Sequence, residues 1–272
     1  MNKRKILLWV LGFAALGAGP GCAPDQKQAQ SPVEYAANAK KAYEDALEAF
    51  FDGDWEVAKP RMEEVKRKYG YSRYARLAEL RIADASFHQE NYAEAVTAYK
   101  SYAHDYPNDP EVPYARYRVA RCQFLSSGDS PIMPPLEERD LSSVRDAFTT
   151  ITAFISDYPD YKKRAELDYM LAVVSGMMVR HELYVARYYL DRGNFDAAVA
   201  RCEYSLRTYQ DTGLEPEALV LLGETYMKKK QRRRARELFV HVIAHYPDSV
   251  FVVPAREFLA LLEEPVAQKR IP

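Results

Sequence analysis

A histidine followed by glutamate, as in "HELYV" from His181, is how a zinc-protease helix begins. That chemistry needs a second histidine four residues on, so that both imidazoles share one helix face and one metal. Val185 stands there instead, so the site is absent. His241 and His245 do stand four apart, but no third ligand lies nearby in the sequence, and two imidazoles leave zinc short of its coordination. There is no Gly-x-Ser-x-Gly turn and no glycine-rich phosphate loop; only 11 glycines occur, several of them within the first 21 residues. The expectation is a chain that is not an enzyme and uses no metal or cofactor.

The cysteine placed for covalent chemistry is Cys22. It follows a basic start (Lys3, Arg4, Lys5), an apolar run from Ile6 to Leu16 too short to span a bilayer, and a set of small residues. Residues 1–21 read as a signal peptide. A cysteine directly after it reads as a lipoprotein signal, with Cys22 acylated at the mature N-terminus. Gly19 and Pro20 depart from the usual residues of such a signal, and ordinary cleavage nearby would leave Cys22 a free thiol. Acyl chains contribute about 0.8 kcal/mol per buried methylene, so several would hold the chain on a membrane. Ala23 stands where an aspartate would mark inner-membrane retention, which favours the outer membrane. Cys122 and Cys202 sit among apolar neighbours and are expected to be buried thiols rather than a disulfide.

The 272 residues are 48% hydrophobic and 28% charged, enough for a sizeable core. Without residues 1–21, 35 basic and 39 acidic residues remain, a net charge of −4. Nucleic acid is therefore not an expected partner. The basic stretch "YMKKKQRRRARELF" at 226–239 is expected to be a solvated helix–turn–helix edge, with a docking surface for an acidic partner as the alternative.

The elements that must position these residues are helices, because apolar residues recur at three- and four-residue spacing almost throughout. Four segments align: "ALEAFFDGDWEVAKPRMEEV", "ADASFHQENYAEAVTAYKSY", "ARYYLDRGNFDAAVARCEYS" and "GETYMKKKQRRRARELFVHV". Each opens on a small residue (Ala46, Ala83, Ala186, Gly223), and an alanine follows twelve positions later (Ala58, Ala95, Ala198, Ala235). Asp54, Asn91 and Asn194 precede aromatic residues and are expected to cap the second helix of each pair. Pro107, Pro159 and Pro247, each after a tyrosine, mark where one pair gives way to the next. This is the tetratricopeptide (TPR) pattern. In a fifth copy, Ala120 and Ala147 are 27 apart rather than 12, with "SSGDSPIMPPLEERD" as the inserted loop. The 14 residues added between Ala147 and Ala186 predict a first helix lengthened by about four turns over roughly 165–191. Pro60, inside the second helix of the first pair, predicts a kink.

The fold class expected is thus all-α, a superhelical array of about five TPR helix pairs, the third interrupted by a loop and the fourth with a lengthened first helix. After the signal peptide come a tether at 22–33, repeats 1–3 at 34–160, repeats 4–5 at 161–262 and a flexible tail at 263–272. First helices line the concave face of such an array. The repeat register puts Tyr43, Phe50, Phe51, Phe87, His88, Tyr114, Tyr117 and Phe124 near it, as an aromatic groove for an extended peptide or helix, with about half of them packing between repeats instead. The last two repeats offer Arg180, Arg187, Arg192 and Arg201.

Beyond the general pattern, "YGYSRYARLAELRIADASF", "ERDLSSVRDAF", "DYPDYKKRAELDYM" and "HELYVARYYLDRGNFDAAVARCEYSLRTY" resemble the BamD family, TPR lipoproteins of the outer-membrane β-barrel assembly machine. The resemblance runs from residue 22 to about 250, and includes the broken third repeat. It implies a lipid-anchored protein on the periplasmic face of the outer membrane. Its C-terminal half would bind the periplasmic repeats of a BamA-like barrel subunit through Arg187, Arg192 and Arg201, with Arg201 facing an acidic residue of that subunit. Its N-terminal groove would receive the C-terminal signals of unfolded outer-membrane β-barrel proteins, and other lipoproteins of the machine would join it. A different periplasmic TPR adaptor, serving envelope constriction or secretion, is the competing reading.

Overall fold

Ser31 accepts a hydrogen bond from the Glu34 N–H and Pro32 fixes the first turn, so the first helix starts within the expected tether. A computed structural model of the chain describes residues 31–128 and 140–263. Among these residues the structure is helical: α1 (Pro32–Phe51), α2 (Trp55–Lys68), α3 (Arg73–His88), α4 (Tyr92–Asp105), α5 (Val112–Ser126), α6 (Ser142–Asp157), α7 (Arg164–Asp191), α8 (Phe195–Thr208), α9 (Glu215–Lys228), α10 (Arg232–His245) and α11 (Val252–Glu263). Five pairs run from α1–α2 to α9–α10, and α11 follows as a single helix. The loop expected in the third pair falls between α5 and α6, where residues 129–139 lie outside the described residues, and α7 is the lengthened helix, 28 residues against 14 in α8.

Each helix packs on the next in sequence, and α1 on α3, α7 on α9 and α9 on α11 across the pairs. The small residues sit where the two helices of a pair meet. Ala46, Ala83, Ala120 and Ala186 of the first helices are at most 1% exposed, and Ala58, Ala95, Ala147, Ala198 and Ala235 of the second helices are fully buried. Gly223 is the extreme case, since a Cβ there would lie 2.5 Å from the Phe239 ring.

The turns inside the pairs repeat one backbone design. At Gly53, Glu90, Gly193 and Lys230 the chain takes a left-handed φ between 60° and 77°. The following N–H reaches back five residues, as from Asn194 to the Tyr189 carbonyl and from Gln231 to that of Tyr226, which closes the first helix. Asp54 and Asn194 then cap the second helix through their side chains, but Asn91 occupies the cap position with no such bond. At the far ends the N–H groups of Tyr106, Tyr158 and Tyr246 close α4, α6 and α10 just before the prolines. α2 runs on through Pro60 as one helix.

Candidate functional site

Half of the expected groove aromatics turn inward. Tyr43, Phe50, Phe87 and Tyr117 are buried in the array, Tyr114 and Phe124 are half-buried, and only Phe51 and His88 are exposed. The exposed pair belongs to one aromatic cluster at the turn ends of α1 and α3. His88 stacks flat on Trp55 at 4.9 Å, with Phe50 and Phe87 edge-on to it, and Phe51 edge-on to Phe50. Burial, then the charges of Arg118 and Arg121, hold the His88 imidazole below its ordinary pKa, so neutral stacking is favoured.

Behind these rings lies a buried polar knot that joins α3, α4 and α5. Asp84, 1% exposed, accepts from the Tyr99 hydroxyl at 2.5 Å, the Tyr114 hydroxyl at 2.7 Å and Arg81 Nη1 at 2.6 Å. Arg118 donates from Nε to the Tyr99 hydroxyl at 2.9 Å, pairs with Asp84 at 3.4 Å and lies 3.7 Å above the Phe87 ring. Two guanidinium groups thus face one carboxylate. Burial pushes the Tyr99 and Tyr114 hydroxyls well up, keeping them as donors to Asp84. Tyr117 is also pushed up to about 12, by burial and then by Glu166.

The C-terminal half presents arginines from α7 and α8 differently. Arg187 pairs with Glu217 of α9 at 2.7 Å. The Arg192 guanidinium covers the Tyr188 ring at 3.7 Å. Arg201 pairs at 3.1 Å with Glu182, whose side chain is 7% exposed while that of Arg201 is 44% exposed. Arg201 is therefore anchored within its own chain with one edge left to solvent. The basic edge is mostly bound up too. Lys229 pairs with Asp196, Arg232 donates to the Leu262 carbonyl, and Arg236 lies 3.6 Å from Glu263.

Among the described residues no three histidine, cysteine, aspartate or glutamate side chains are grouped to hold a metal, and the His241 and His245 rings stack on each other at 4.1 Å. Cys122 and Cys202 are free and buried, their thiols pushed up to about 12 chiefly by burial. Cys22 lies outside the described residues. Among those residues no helix is long and apolar enough to cross a membrane.

Residues 35–237, from the first pair into α10, match the YfiO family, described as "Outer membrane lipoprotein". The chain belongs to this family. Relatives named "Outer membrane protein assembly factor BamD" bear out the likeness read from the sequence. The one from Neisseria gonorrhoeae is 25% identical over 93% of this chain and 95% of its own length. The one from Haemophilus influenzae is 25% identical over 84% and 85%. The one from Caulobacter vibrioides is 26% identical over 77% of this chain, which spans 65% of that relative's length. The matched region contains the aromatic cluster, the Asp84 knot and the Arg187, Arg192 and Arg201 surface, and leaves out the end of α10 and all of α11.

Sequence reasoning did not single out Asp84, Arg81 or Arg118, and met Glu182 only as the glutamate of the incomplete zinc-protease motif. One signal pointed to two of them. Asp84 and Glu182 stand on the apolar stripes of their helices, one residue after Ala83 and four before Ala186, where a charge needs a partner.

Proposed function

We propose that this chain is an outer-membrane protein assembly factor, a lipid-anchored TPR scaffold on the periplasmic face of the outer membrane. The observation that carries this reading is the family match over residues 35–237, together with relatives along most of the chain that are named assembly factors. The N-terminal face receives C-terminal signals of unfolded β-barrel proteins. Its accessible residues are Phe51, His88, Tyr114 and Phe124; Tyr43, Phe50, Phe87 and Tyr117 support them from within. An aromatic-lined face suits an extended segment ending in an aromatic residue. The C-terminal half docks a BamA-like subunit through Arg187, Arg192 and Arg201, whose planar guanidinium groups can grip a carboxylate with two hydrogen bonds. Acylated Cys22 anchors the chain.

The test is affinity purification of the full-length protein from solubilised outer membranes. Co-purification of a large barrel protein with periplasmic repeats is expected, and mass spectrometry should find a lipid on Cys22. Recovery with constriction or secretion components instead would replace the reading with the other adaptor class. Arg192→Glu is the cleaner interface variant, because Arg201 is tied to a buried acid and its loss disturbs the fold as well.

A further inference from the structure

The tyrosine–proline pairs put the repeats in one frame, and that frame extends one helix beyond the last pair. Ala120 stands thirteen residues after Pro107, and Ala260 thirteen after Pro247. Burial follows the same frame. Val112 and Ala115 of α5 are 8% and 0% exposed against the preceding pair, and Val252 and Ala255 of α11 are 7% and 0% exposed. α11 is thus the first helix of a sixth pair.

Its other side breaks the pattern. Ala46, Ala83, Ala120 and Ala186 are at most 1% exposed under their second helices, and Gly223 lies under Phe239. Ala260 is exposed. Val119 and Cys122 of α5 are 4% and 0% exposed, but their counterparts Leu259 and Leu262 are only half-buried. Leu261 is 52% and Val253 62% exposed, whereas a terminal repeat ordinarily turns a polar face outward. The notch that takes a second helix in every earlier pair is open among the described residues.

The rim of that notch is basic. Arg232 reaches the Leu262 carbonyl and Arg236 lies beside Glu263, which brings the α10 arginines to the C-terminal end of α11. Arg233, on the same turn of α10, pairs with Glu237 at 3.4 Å on the surface and keeps its side chain 90% exposed, so that a partner carboxylate can reach it. We propose that the open side of α11 is a docking site for an acidic amphipathic helix of a partner protein. The helix completes the sixth pair by seating an apolar side chain over Ala260, as Phe239 sits over Gly223, while its carboxylates face Arg232, Arg233 and Arg236. A second copy of this chain would bring like-charged ends together, which disfavours it as the occupant. The inference stands independently of the proposed function, because it rests on the repeat frame and lies largely outside the family-matched region.

The test uses the full chain and a labelled synthetic helix about four turns long. The helix carries alanine and phenylalanine four apart on one face and glutamates on its flanks; a control replaces the glutamates with lysines. Fluorescence anisotropy should show the glutamate helix binding at least about tenfold more tightly than the lysine one. Ala260→Gln and Arg233→Glu should each weaken binding by a similar factor. Both positions are exposed and the Arg233–Glu237 pair is a surface pair, so thermal unfolding should change little, and each variant controls for the other. Absent binding, equal binding of the two helices or an unaffected Ala260→Gln protein would overturn the proposal. So would a dimer in sedimentation that Ala260→Gln abolishes, or attachment to phosphatidylglycerol vesicles that Arg233→Glu abolishes. Tighter helix binding after deletion of residues 264–272 would show the chain's own tail in the notch and overturn it as well.

Discussion

Among the described residues the two halves of the array each bury one carboxylate on a first helix, and they neutralise it in opposite ways. Asp84 in the N-terminal half is met by two tyrosine hydroxyls and two arginines, and Arg118 is itself nearly as buried as the acid, with side chains 7% and 1% exposed. Glu182 in the C-terminal half is met by Arg201, which keeps its outer edge in water. The surrounding cores differ in the same sense. Pairs three to five share one continuous apolar core from Tyr117 to Ala255, whereas the first two pairs build separate smaller cores around Met62 and Tyr99. A helix-pair scaffold can therefore use a buried acid either as an internal rivet or as the fixed base of a surface arginine. Only the second use leaves a charge available to a partner.

This contrast breaks most visibly at the acids themselves. Asp84→Ala leaves Arg118 buried without its counter-charge, and such a loss costs about 3–5 kcal/mol. Glu182→Ala frees Arg201 to turn fully into water, so its cost should stay near 1 kcal/mol. Urea unfolding of the two variants measures the difference. Equal losses would mean that the knot is not the rivet described.

The continuous C-terminal core gives the next effect. Ala198 is fully buried between α7 and α8, and Ala198→Phe should cost about 1–3 kcal/mol by overpacking. Because neighbouring pairs share that core, amide exchange should quicken in α9 and α10 as well. Unchanged exchange there would show that the core is less continuous than its packing.

Much of this architecture was legible in the sequence, for identifiable reasons. The close approach of two helices demands a small residue at a fixed place, so Ala83, Ala186 and Gly223 reveal the pairs without any alignment to other proteins. The 14 added residues could only lengthen α7, because a near-integral number of turns preserves its packing face. The knot was not legible, since Asp84 meets Tyr99 and Tyr114, 15 and 30 residues away, and their meeting depends on how successive pairs rotate. The same rotation decides that Phe87 and Tyr117 point inward while Phe51 does not, which residue type alone cannot say.

Where the halves have similar environments they should respond alike, and the thiols test that. Cys122 lies near Arg118 and Arg121 and Cys202 near Arg187, yet burial dominates at both and pushes each thiol from an ordinary value of 9.0 up to about 12. The folded state then holds its protons where the unfolded state has lost them. The resulting stability is fully present below about pH 9 and falls as pH rises toward 12. Replacing either cysteine by alanine should flatten the decline of thermal stability across that window by a similar amount. A decline unaffected by either replacement would assign it to other groups, foremost the buried tyrosines.

The smallest effect is expected at the turns, where one backbone design serves both halves. The left-handed position is glycine in the first and fourth pairs, at Gly53 and Gly193, but Glu90 in the second and Lys230 in the fifth. A side chain held at such a φ costs about 1 kcal/mol, because its Cβ crowds the carbonyl oxygen. Glycine removes that crowding but gives the unfolded chain more freedom, which takes back about half. Glu90→Gly and Lys230→Gly should therefore each stabilise the protein by about 0.5 kcal/mol, and Gly193→Ala should destabilise it by the same amount, about 0.5 kcal/mol. Nothing lies within 4 Å of the place a Cβ would occupy at Gly193, so the loss there is conformational rather than steric. Equal gains at 90 and 230, read as shifts in the urea midpoint, would confirm that the turns are indifferent to the half they serve. A gain at Glu90 alone would point to a second use for Lys230. That residue sits in the basic turn leading into α10, where a positive charge kept against its backbone preference makes sense only if something acidic meets it.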